Sequence, residues 1–97
     1  MGQFQFTLYV AGDSPRSQQA AANLRRLGDE RLGGDYVLQI IDVMSEPERA
    51  ERERILTTPT LVKEAPGPAR RVTGDLSNPE MVLVALALFG DALHGRS

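Results

Sequence analysis

The chain has 97 residues, a formal net charge of −2 and no cysteine. That length fits one domain with one modest core, and 41% hydrophobic with 25% charged residues is the balance of a folded soluble protein, not a disordered chain. Eleven Lys and Arg against thirteen Asp and Glu leave no positive surplus for a nucleic-acid backbone, and without Cys there is no disulfide, thiolate zinc site or thiol redox reaction. Met1-Gly2-Gln3-Phe4 lacks the basic region and apolar stretch of a signal peptide. The longest apolar run, Met81 to Phe89, falls far short of the ~20 residues that span a bilayer. A cytoplasmic protein without membrane contact is expected, with one domain over 1–97, its core over about 4–90 and a frayed tail over 91–97.

Gln3 to Val10 alternates polar and apolar residues, which places Phe4, Phe6, Leu8 and Val10 on one face of a strand. Ser14-Pro15 is a helix start, with Ser as N-cap and Pro where its missing N–H costs nothing. Ala20, Leu24 and Leu27 form the buried stripe of this helix, with Gln19, Asn23, Arg26 and Glu30 assigned to its wet side, and Gly33-Gly34 ends it. Tyr36 to Val43 is almost continuously apolar and reads as a central strand covered on both faces, parallel to the first. Ser45 and Glu48 are spaced as a capping box for a short, highly charged helix to about Arg54, supported by a Glu48–Arg52 pair and weakly held. Ile55 to Lys63 leads into a third strand, Pro66-Gly67-Pro68 turns the chain, and Arg70 to Thr73 returns as a fourth. Ser77-Asn78-Pro79-Glu80 is a second capping box, opening a final helix to Phe89 or beyond.

The order β-α-β-α-β-β-α is the thioredoxin-like arrangement, an α/β fold (βαβ-α-ββα) with one four-stranded mixed sheet and helices on both faces. Pro59, in Thr58-Pro59-Thr60, stands where that fold has a cis proline before its third strand. A trans proline at a strand's first residue is the other reading, and the element order favours cis. Thioredoxin chemistry needs Cys-x-x-Cys at the start of the first helix, where this chain has Ser14-Pro15-Arg16-Ser17. Serine exchanges no disulfide, so the arrangement is present and its reaction is not.

Little else points to catalysis. The sole histidine, His94, lies near the chain end with no second His or Cys to complete a site, and no phosphate-binding loop or nucleophile elbow is present. Asp13, Asp42 and Asp75 stand at ends of elements, where turn and cap roles outweigh a carboxylate cluster. Lys63, Arg70 and Arg71 form a basic set on the hairpin, either a guard on a sheet edge or a contact patch for a protein partner. No enzyme activity, cofactor or metal is expected.

Leu8-Tyr9-Val10-Ala11-Gly12, Ile41-Asp42-Val43, Ile55-Leu56-Thr57-Thr58-Pro59-Thr60-Leu61, Arg70-Arg71 and Gly74-Asp75-Leu76-Ser77 together resemble the KaiB family of circadian clock proteins, in order from about Phe6 to Phe89. The resemblance implies a non-enzymatic regulator that docks on the ring of the KaiC ATPase, in circadian or hourglass timing, with KaiA or a sensor histidine kinase as further partners. A module outside the clock, in stress response or kinase sensing, is the alternative. It also implies two folds: a monomeric thioredoxin-like state that binds KaiC, and a ground state, tetrameric or dimeric, with a rearranged C-terminal half. Carried over by position, Lys63, Arg70 and Arg71, with Arg54, are candidate partner contacts, whereas Gln19 and Gln39 replace basic residues of the family. Pro59, Gly74, Asp75, Ala85 and Ala87 are candidate fold-switch or structural positions. Ala85 and Ala87, standing for poorer helix formers of clock-type members, favour helix in the last segment by about 1–1.5 kcal/mol together. That bias matters where two folds lie a few kcal/mol apart.

Overall fold

The computed structural model describes residues 3–88. Strand β1 (Phe4–Val10) leads through Ala11–Ser14 into helix α1 (Pro15–Arg31), followed by β2 (Tyr36–Asp42), the short helix α2 (Pro47–Arg52), β3 (Thr60–Ala65), β4 (Arg70–Thr73) and α3 (Pro79–Ala85). The sheet order is β2-β1-β3-β4. β1 runs parallel to β2, pairing Phe4 with Tyr36 through Val10 with Asp42, and antiparallel to β3, which pairs antiparallel with β4. This is the thioredoxin-like mixed sheet expected from the element order.

Alternation along β1 divides the core. Phe6, Leu8 and Val10 join Ala20, Leu24 and Leu27 of α1, Leu61 of β3, and Leu76, Val82 and Leu86 of the C-terminal part. On the opposite face Tyr9, Ile41 and Val62 pack with Val43 and Ile55. Leu8, Leu24 and Leu61 are fully buried, and each contributes about 1.5–3 kcal/mol by leaving water. Gly28 lets α1 approach the sheet closely: a Cβ there would lie 2.4 Å from the Tyr36 ring. Helix α1 starts as its sequence indicates, with the Ser17 N–H donating to Ser14 Oγ at 3.2 Å.

Several local expectations are corrected. β2 is an edge strand, not a central one, with Val37 and Ile40 exposed. Its apolar run reflects two partly covered faces, Ile41 on one and Tyr36 and Leu38 on the other, and hydrophobicity cannot report how many strands flank it. Neither Ser45 nor Ser77 caps a helix. Ser45 Oγ turns back to Asp42 Oδ2 at 3.4 Å, and α2 starts after Glu46 without a side-chain cap. Asn78 caps α3 by accepting from the Met81 N–H at 3.2 Å. Helix α2 stops at Arg52, β3 starts at Thr60, and Arg49 pairs with Glu46 at 3.9 Å where a Glu48–Arg52 pair was expected. Asn23 is buried, because it lies three residues after Ala20 and four before Leu27, on the apolar stripe itself. Its Nδ2 donates to the Asp75 carbonyl at 2.8 Å, tying α1 to the segment before α3.

That segment holds an uncommon backbone. Leu76 is buried at φ +63°, a left-handed conformation that costs a non-glycine residue on the order of 1–3 kcal/mol. It is over-determined from three sides. The Gly74 N–H donates to the Pro59 carbonyl at 2.9 Å, Asn23 holds the Asp75 carbonyl, and Asp75 Oδ1 accepts from the Ser77 N–H at 3.0 Å. The Leu76 side chain enters the main core as the payoff in packing. An ion pair at 2.6 Å between Arg31 and Glu80 links the end of α1 to the start of α3.

Ala87 is also corrected. Ala85 is the last helical residue of α3, but Ala87 has φ +56° and ends the helix instead of extending it. The Ala87 N–H donates to Val84 O at 3.2 Å and the Leu88 N–H to Leu83 O at 2.8 Å, the Schellman pattern that usually places glycine at this position. Leu88 is thereby buried in the core, and that packing outweighs alanine's helix preference. The helix therefore stops at Ala85, short of the expected end at Phe89 or beyond, and Phe89 itself lies outside the described residues.

Two outcomes follow. Asn23→Ala should lower the unfolding free energy by about 1 kcal/mol by removing the partner of a half-buried carbonyl, read as a lower urea midpoint at unchanged slope; an unchanged midpoint would contradict the role given to Asn23. Ala87→Gly should raise stability by about 0.5–1 kcal/mol, relief of the left-handed conformation exceeding glycine's greater unfolded-state entropy; a lower melting temperature would contradict that cap.

Candidate protein-docking site

The hairpin register decides what its basic residues do. Lys63 pairs with Arg70 and Val62 with Arg71, and directly paired residues share a face while neighbours along a strand do not. Lys63 and Arg70 therefore lie on the α1/α3 face with Leu61 and Val72, and Arg71 lies on the α2 face with Val62. The three cations adjacent in the pattern are not one patch.

Their environments differ as well. Lys63 is buried at 5% exposure and its Nζ donates to the Pro66 carbonyl at 3.0 Å. Burial, with the neighbouring Arg70 charge second, holds its pKa below the ordinary lysine value. Arg70 is exposed. Arg71 reaches across to the C-terminal end of α2, where Nη1 donates to the Arg54 carbonyl at 3.1 Å and Nη2 to the Glu53 carbonyl at 2.9 Å. The Glu53 carbonyl belongs to the C-cap, which a helix end leaves without an intrahelical partner, and the Arg54 carbonyl to the residue that follows it. Arg54 stands at φ +57°. Its N–H donates to Glu51 O at 3.1 Å and the Ile55 N–H to Ala50 O at 2.9 Å, a second Schellman ending, with the Arg54 side chain exposed. Beside it lies an open, mostly apolar pocket of about 490 Å³, lined by Val43, Pro47, Ala50, Ile55 and Leu56 with Glu51 and Arg54. Leu56 is 94% exposed and Met44 73%. The pocket and these two apolar side chains had no signal in the sequence, because a Leu in an apolar stretch ordinarily reads as core.

Of the positions named as structural, Pro59 and Gly74 meet beside Arg16 near the start of α1, Asp75 is tied to Asn23 in its middle, and Ala85 and Ala87 lie at the end of α3. The Thr58–Pro59 bond is cis, as is Ala65–Pro66. Pro59 is buried and accepts from Gly74, and the Arg16 guanidinium lies close to Gly74. Where a dithiol would stand, Ser14 Oγ and Ser17 Oγ are hydrogen-bonded at 2.9 Å, a pair with no electrons to exchange. The aspartates act as turn residues. Asp42 Oδ1 accepts from the Gly12 N–H at 3.0 Å and the Met44 N–H at 2.9 Å, and these bonds, Gly12 first, hold its carboxyl below the usual range. Asp75 is held low chiefly by Ser77, and Asp13 Oδ1 accepts from Gln18 at 3.0 Å. Burial raises the Tyr9 phenol, with Arg49 opposing. Among the described residues no group of three or more His, Cys, Asp or Glu is placed to hold a metal ion, and no described helix is long and apolar enough to cross a membrane. The expectations for His94 and the 91–97 tail lie outside the described residues.

The arrangement is thus a thioredoxin-like frame with Ser14 and Ser17 in place of a dithiol, carrying exposed cations and apolar side chains. The family model of the KaiB domain matches residues 7–88. This chain belongs to the KaiB family. It is 47% identical over 96 residues to the circadian clock protein KaiB3 of Synechocystis sp., covering 99% of this chain and 94% of that one. It is 48% identical over 86 residues to the circadian clock oscillator protein KaiB of Prochlorococcus marinus, covering 89% and 82%. Among solved structures, the N-terminal domain of Synechococcus elongatus SasA matches with TM-score 0.73 at 23% identity, over 93% of this chain and 89% of that domain. Mitochondrial thioredoxin 3 of Saccharomyces cerevisiae matches with TM-score 0.69 at 17% identity, over 92% and 81%. These likenesses show the thioredoxin-like fold that this KaiB-family chain adopts.

The buried ammonium of Lys63 gives a pH-dependent outcome. With the folded pKa below the unfolded value of ~10.4, the unfolded chain binds more protons between the two, so stability climbs with pH through that window. Lys63→Met should raise stability at pH 7 by about 1 kcal/mol and flatten that climb in denaturation curves. Loss of stability would show instead that the Pro66 contact outweighs the desolvation of the charge.

Proposed function

We propose that this KaiB-family chain is a non-enzymatic regulatory binding protein of the cytoplasm that docks, as a thioredoxin-like monomer, on the ring of a KaiC-type ATPase in circadian or hourglass timing. The observation that carries the reading is the match of 47% and 48% identity to relatives named as circadian clock proteins, over 99% and 89% of the chain. A fold without its dithiol supports binding in place of catalysis, since binding needs only surface. The exposed guanidiniums of Arg54 and Arg70 are the direct contacts in this reading, and Lys63 serves the hairpin from its buried position. Pro59, Gly74 and Asp75 hold the loop that seats the C-terminal half in the docking arrangement, and Ala85 and Ala87 close its last helix. KaiA or a sensor histidine kinase would share or compete for the same complex.

The test is native mass measurement of the 10.6 kDa chain alone and with the KaiC-type ATPase of the same organism, with and without ATP. A complex with ATP, weakened about three- to ten-fold by Arg70→Ala or Arg54→Gly with a shallower salt dependence, is expected. Arg54→Gly is a clean probe because glycine accepts the left-handed conformation at no cost. Absence of any complex overturns the reading. Capture of a histidine kinase in its place would favour the module outside the clock.

A further inference from the structure

The two bonds from Arg71 to α2 separate its role from that of the other hairpin cations. A six-residue helix has few hydrogen bonds of its own, and its end is made of the two Schellman bonds together with the guanidinium fork on the carbonyls of Glu53 and Arg54. The fork suits arginine, whose planar donors can hold two carbonyls at once, better than lysine, a point charge. Arg71 is spent on these carbonyls, while Arg54, whose own backbone it grips, projects into solvent beside Leu56. We propose that Arg71 is a positioning residue: it clasps the C-terminal end of α2 to the β3–β4 hairpin and so sets where the Arg54 side chain is presented to a partner, without contacting the partner itself. This rests on the docking reading above for what Arg54 meets, but the clasp itself belongs to the isolated chain.

The experiment has two arms. In the isolated full chain, amide hydrogen exchange is compared for wild type, Arg71→Ala and Arg71→Lys. The Arg54 and Ile55 amides should exchange about three- to ten-fold faster in Arg71→Ala, with partial rescue in Arg71→Lys and no change at the β1 amides or in the urea midpoint. In the second arm, binding to the KaiC-type ATPase is measured for Arg54→Gly, Arg71→Ala and the double variant. If Arg71 acts through Arg54, the double variant loses no more affinity than Arg54→Gly alone. Unchanged exchange at Arg54 and Ile55 overturns the clasp, and additive losses overturn positioning in favour of direct contact. A wild-type chain that binds no ATPase overturns the docking reading alone, and the exchange arm then still decides whether Arg71 sets the end of α2.

Discussion

Strand β1 is the constraint on which the rest of the molecule depends. It is flanked by β2 on one side and β3 on the other, and its alternation divides the protein into two cores of unequal weight. The Phe6-Leu8-Val10 face takes α1, Leu76 and α3. The Tyr9 face takes little more than Ile41, Val62, Val43 and Ile55, under a helix of six residues. The well-packed face supplies stability and the thinly covered face leaves apolar side chains such as Leu56 and Met44 in solvent. A fold built this way places Arg54 and the apolar pocket beside it on the thinly covered side, and Arg70 on the other.

The C-terminal half is held by polar ties as much as by packing. Asn23 grips the Asp75 carbonyl, Gly74 bonds Pro59, and Arg31 pairs with Glu80. Between those ties Leu76 and, further on, Ala87 occupy left-handed conformations that neither residue favours. Each is kept there because a neighbouring side chain reaches the core: Leu76 itself, and Leu88 after Ala87. The segment from Gly74 to Leu88 is therefore stable through its contacts with α1 and the sheet rather than through its own propensities.

Much of the frame was legible from the residues. The alternation of β1, the Ser14-Pro15 start, the Gly33-Gly34 stop and the turn around Pro66-Gly67-Pro68 each have a local cause, and each appears in its expected place. The errors share a different cause. The polarity of Asn23 assigns it to water, whereas its spacing from Ala20 and Leu27 puts it on the buried stripe. Both serine capping boxes have the right spacing, but Ser45 found Asp42 and Ser77 found Asp75 as nearer partners. The apolar run of β2 reads as a central strand, yet β2 lies at the edge, because a run reports burial of faces and not the number of flanking strands.

By itself, the sequence determined the element order, the absence of thiol chemistry and, through five short motifs in register, the family. These are read from residue type and spacing along the chain. What each cation does was decided only by tertiary structure. Lys63, Arg70 and Arg71 read as one basic set, yet pairing in the hairpin sends Arg71 to the opposite face, and the distances across the fold bury Lys63 and bind Arg71 to the end of α2. The physical reason is that a charge is assigned its role by the groups it meets, and those groups come from elements remote in the chain.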